Sequence, residues 1–68
     1  MKRNRGIVRV RAKTGKLASY IEAGKVYRAK IIGKHSDGRG RIFLIEELGR
    51  IACEFDSIHL KGGTWEIF

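Results

Sequence analysis

The sequence predicts a small all-β domain of five strands, and three observations carry that prediction. Apolar residues recur with a period of two, in short runs, which is the spacing of a pleated strand with one side turned inward. Glycine-bearing turns bound these runs, with 9 Gly and no Pro in the chain. The length of 68 residues allows one domain at most. A chain this short buries only about 60% of the surface its unfolded form exposes, so its stability is marginal. Cys53 is the only cysteine, so no disulfide within these residues supports it. Among the apolar neighbours of RIACEF, Cys53 reads as a buried, inert thiol.

The first strand is GIVRVRA, Gly6–Ala12. Val8, Val10 and Ala12 point one way, and Ile7, Arg9 and Arg11 the other. A loop follows, KTGKLASYIEAGK, whose middle is long enough for one helical turn and too short for a stable helix. Leu17, Tyr20 and Ile21 are expected to tuck it against the sheet. The second strand is KVYRAKIIGK, Lys25–Lys34, with Tyr27, Ala29 and Ile31 on the apolar face and Val26, Arg28, Lys30, Ile32 and Lys34 opposite. The third, RIFLIE, Arg41–Glu46, is apolar on both faces and therefore central. Gly49 supplies the positive φ that the next tight turn needs. In the fourth strand, RIACEF, Arg50–Phe55, Ile51, Cys53 and Phe55 are expected inward and Arg50, Ala52 and Glu54 outward. DSIHL reads as a single 3-10 turn capped by Asp56 or Ser57. A short strand, TWEIF, ends the series, with Trp65 and Ile67 sharing a side and Trp65 in the core.

Five strands in this order, with a long first loop, two hairpins and a helical turn before the last strand, resemble the SH3-like β-barrel. The stretch GKVYRAKII…GRIFLIEELGRIACEFDSIHL is also similar to small SH3-like proteins of bacteria and their phages. In those, GK-x-Y opens the second strand and an acidic-Gly turn joins the third and fourth. The resemblance covers most of residues 6–68, preceded by a basic arm over residues 1–5. It implies a binding module, since such barrels serve in peptide binding, nucleic-acid binding and ribosome-associated roles; it bears on fold more than on function. The chain lacks the aromatic-rich groove of eukaryotic signalling SH3 domains, so Pro-rich ligands are not expected.

Charge is the strongest functional signal. The net charge is +8, and residues 1–41 hold 13 Lys/Arg against 2 Asp/Glu, whereas residues 42–68 hold 2 against 5. So uneven a field favours polyanionic partners. Arg9 with Arg11, and Arg28 with Lys30, stand at i, i+2 spacing, so each pair projects from one sheet face. If the first two strands are neighbours, the pairs merge into one cationic stripe. Lys2, Arg3, Arg5, Lys13 and Lys16 extend it as an arm and a loop rim.

The loop GKHSDGRGR, Gly33–Arg41, brings Lys34, Arg39 and Arg41 to one tip. It is not a P-loop, because Arg39 follows Gly38 and a strand, not a helix, comes next. Asp37-Gly38 is a favoured hairpin pair and Gly40 relieves a bulge. The tip therefore reads as a hairpin first and a phosphate contact second. Six phosphate contacts give a slope of about −5 in log affinity against log salt, with non-specific dissociation constants around 10⁻⁴–10⁻⁶ M. Tyr20 is the candidate stacking residue, with Tyr27 behind it.

His35, His59 and Cys53 lack the close pair spacing of metal ligands, so no metal or other cofactor is expected. Glu46-Glu47 at a turn and the adjacent His35, Ser36 and Asp37 make no catalytic geometry, so an enzyme is not expected either. The expected function is a small nucleic-acid-binding module, for DNA or RNA, contacting the phosphate backbone with little sequence specificity. The second option is a phage or bacterial protein-interaction module or inhibitor that docks on a host protein. For it, Glu46, Glu47, Glu54, Asp56 and Glu66 form a face opposite the basic one, which also allows head-to-tail homo-oligomers. No apolar run reaches the 18 residues of a membrane span and no signal-peptide stretch follows the basic N-terminus, so a cytoplasmic protein with no membrane partner is expected.

Overall fold

The computed structural model describes residues 6–68; the basic arm expected over residues 1–5, with Arg3 and Arg5, lies outside the described residues. Five strands form in the expected order: β1 (Ile7–Ala12), β2 (Tyr27–Lys34), β3 (Arg41–Ile45), β4 (Arg50–Cys53) and β5 (Trp65–Ile67), with a 3-10 turn, Ile58–Leu60, before β5. They build one antiparallel sheet in the order β4-β3-β2-β1-β5. The sheet curls into a half-barrel, the fold class the sequence predicts. Its two ends meet where Trp65 N–H donates to Glu54 O at 2.8 Å and where Ser57 and Gly63 form an isolated bridge.

Inside the curl lie Val10, Tyr27, Ala29, Phe43, Ile45, Ala52, Leu60 and Trp65, with Ile21 from the first loop. Fully burying a side chain of the larger kinds contributes about 1.5–3 kcal/mol. Phe43 and Trp65 meet edge to face, 5.8 Å between centroids, a geometry that adds roughly 0.5–1.5 kcal/mol. Trp65 reaches this depth because Ser57 Oγ accepts its indole N–H at 3.0 Å. The same oxygen accepts His59 N–H and so caps the 3-10 turn. In the first loop a turn replaces the helical turn, with Ile21 N–H donating to Ala18 O at 3.0 Å. Leu17 and Tyr20 pack against the core beside Ile21 as expected.

That loop crosses the chain after the 3-10 turn at very close range. A Cβ at Gly63 would collide with the Thr14 carbonyl and lie 2.6 Å from Gly15 Cα. Two backbones can come this near only where neither carries a side chain.

Two local expectations are corrected. In β4 the inward residue is Ala52, 3% exposed, whereas Ile51 and Phe55 are exposed and Cys53 is only half-buried. The β3–β4 hairpin sets this register: Phe43 stands opposite Ala52, and Leu44 opposite Ile51. Ile51 and Leu44 therefore pair on the outer face. In β2 the register slips between Ile31 and Gly33. The bulge reverses the alternation. Lys34 therefore leaves the row of Arg28 and Lys30 and stands opposite Arg41.

Candidate nucleic-acid interface

The pairing of β1 with β2 decides what the cations build. Val8 faces Ala29 and Val10 faces Tyr27 on the inner side. On the outer side Ile7 faces Lys30, and Arg9 faces Arg28. The first two strands are thus neighbours, and their cations merge on one exposed face. The row extends sideways at both ends. Arg9 and Phe68 exchange backbone hydrogen bonds of 2.9 and 2.8 Å, and Glu46 N–H donates to Arg28 O at 3.2 Å. Across the outer face the order is Glu46, Arg28, Arg9, Phe68. One row on, Arg11 faces Glu66. Two arginines directly opposite one another destabilise a sheet, and only Arg28 has a counter-ion, Glu46, at 3.5 Å with both groups well exposed.

The remaining candidates are placed differently. Arg11 forks onto Glu66 Oε1 from Nε and Nη2, at 3.1 and 2.7 Å. Arg41 holds Glu54 at both oxygens, 3.1 Å each, and adds its backbone N–H at 3.2 Å. That side-chain hydrogen bond holds the Glu54 carboxyl below its ordinary value against the opposing effect of desolvation, and raises Arg41 in turn. Arg39 lies 3.5 Å from Asp37 and 3.9 Å from Asp56. Arg39 and Arg41, expected to touch phosphate, also tie the tip to Asp56 and Glu54, the residues after β4. Gly40 belongs to the same junction, since a Cβ there would press on Glu54 and Phe55 at 2.7 and 2.8 Å. Arg9, Lys13, Lys30 and Lys34 have no carboxylate at ion-pair distance among the described residues.

The acids explain this division. Each of the seven Asp/Glu side chains pairs with a cation or with His35. Glu46, Glu47, Glu54, Asp56 and Glu66 therefore each stand within ion-pair distance of a cation. Tyr20, the expected stacking residue, is also engaged. The Arg50 guanidinium lies over its ring, 4.0 Å from the centroid, and its hydroxyl meets His59 Nδ1 at 2.6 Å. His59 Nε2 donates to Ile51 O at 2.8 Å, which ties the loop to β4. Tyr27 is buried.

The exposed aromatic beside the cations is Phe68, 55% exposed. With Ile7, Val8, Arg9 and Arg28 it lines an open hollow on the outer face. The alternation in TWEIF carried this signal: Phe68 shares a side with Glu66, opposite Trp65 and Ile67. Among the described residues no His, Cys, Asp and Glu side chains gather in a group able to hold a metal, and no helix is long and apolar enough to cross a membrane. Comparison with protein-family models, curated proteins and solved structures finds no match to the chain.

Proposed function

We propose that this half-barrel is a nucleic-acid-binding module that grips the phosphate backbone with little sequence specificity, in an intracellular setting. The observation that supports it most is Arg9 set opposite Arg28 beside Lys30, on an open sheet face, with no acid at ion-pair distance from Arg9 or Lys30 among the described residues. Such a cluster repels itself in the free protein and is relieved by an incoming polyanion. With Arg9, Arg28, Lys30 and one rim lysine engaged, log affinity falls against log salt with a slope of about −3 to −4. A mobility-shift titration at two salt concentrations tests this. A shift at tens of micromolar protein that weakens with salt supports it, and no shift of DNA or RNA in low salt overturns it. A protein-docking role is the second reading, favoured by Ile51 and Ile58, 57% and 77% exposed on elements that pack together. A nuclease-treated pull-down that retains one stoichiometric partner supports that reading.

A further inference from the structure

We infer that the hollow between Arg9, Arg28 and Phe68 receives an unstacked nucleobase, which makes single-stranded nucleic acid the partner; the inference rests on the backbone-gripping role proposed above. The hollow measures ≈ 390 Å³, within the roughly 300–1,000 Å³ of small-molecule sites. Its walls divide by chemistry. Ile7 and Phe68 are its apolar side chains and Arg9 and Arg28 its cations, while Val8, whose side chain packs toward the core, borders it from the strand. The Arg11 guanidinium steadies the ring from one side, 5.2 Å from its centroid.

A duplex keeps the faces of its bases stacked inside and offers chiefly phosphates to the outer face of the curled sheet. It can use Arg9, Arg28 and Lys30, and it has nothing to place against Phe68. A single strand offers both parts at once, a phosphate for the arginine fork and a π-face for the ring. Every base has such a face, so the contact adds affinity without reading sequence. The main chain of Phe68 is hydrogen-bonded to Arg9, so the ring is held beside the cations by the sheet ladder.

The experiment is fluorescence anisotropy with labelled oligo-dT, oligo-U and a duplex of matched length. The proteins are wild type, Phe68→Ala, Phe68→Trp and Arg9→Gln, each checked for an unchanged melting temperature. Wild type is expected to prefer both single strands to the duplex. Phe68→Ala loses about tenfold on the single strands and nothing on the duplex, Phe68→Trp keeps the preference, and Arg9→Gln weakens all three. If Phe68→Ala leaves single-strand binding intact, or weakens strand and duplex alike, the base-binding inference is overturned while the backbone role stands on Arg9→Gln. If wild type binds none of the three, the backbone role itself falls and the inference with it.

Discussion

The Gly33–Arg41 tip and the Arg9–Arg28 row are both rich in cations, yet at the tip each arginine leans on an acid, whereas along the row Arg9 faces another arginine. The tip spends its charge on holding its own shape. The row leaves much of its charge facing solvent. A count of Lys and Arg treats the two alike; only the positions of the acids separate them.

Removing the frame that both regions share gives the largest effect. Gly63→Ala forces a methyl group into the Thr14 carbonyl, and overpacking of this kind costs about 1–3 kcal/mol or more. Its thermal melt, followed by circular dichroism, should collapse well below that of wild type. An unchanged melt would refute the close approach of the two backbones. Next, Arg41→Glu sets two carboxylates against each other at Glu54 and should lose roughly 1–3 kcal/mol. At about 4–8 °C per kcal/mol for a domain of this size, the drop is readily measured. Arg9→Glu, by contrast, replaces a repulsion with an attraction to Arg28 and should melt at or slightly above wild type. Equal losses in the two variants would erase the distinction between tip and row.

A smaller effect comes from pH. The Arg41 hydrogen bond depresses Glu54 below 4.5 in the folded chain, so its contribution is complete above the ordinary carboxylate value. The contribution disappears as pH falls through the lowered one. The melting difference between wild type and Glu54→Gln should thus be largest at neutral pH and shrink as the pH falls through the lowered Glu54 value. A constant difference would mean that packing, not ionisation, is the source. The smallest effect is electrostatic and touches binding alone. Arg9→Gln should leave stability within about 0.5 kcal/mol and reduce the salt slope of duplex binding by about 0.9.

The five strands in chain order, the buried Trp65, a cap at Asp56 or Ser57 and the outward pairs Arg9 with Arg11 and Arg28 with Lys30 follow from period-two reading and turn chemistry, because each depends on local alternation or a local turn. What escaped depends on register. In RIACEF both faces carry plausible core residues, and only the hairpin pairing of Phe43 with Ala52 chooses between them. The bulge at Ile31–Gly33 is likewise silent in a run of apolar residues, yet it moves Lys34 to the other side. The ion pairs of Arg11 with Glu66 and Arg41 with Glu54 span 55 and 13 positions, beyond what a local pattern can foresee.

Trp65 is the only tryptophan of the chain, and it sits at the seam where the curled sheet joins, its indole bound to Ser57 and its ring against Phe43. It points inward, away from the arginine row and the Phe68 hollow. The molecule thus contains its own spectroscopic probe of integrity. Intrinsic emission will follow denaturation while staying indifferent to cargo on the opposite side, so folding and occupancy can be read in one cuvette as independent signals.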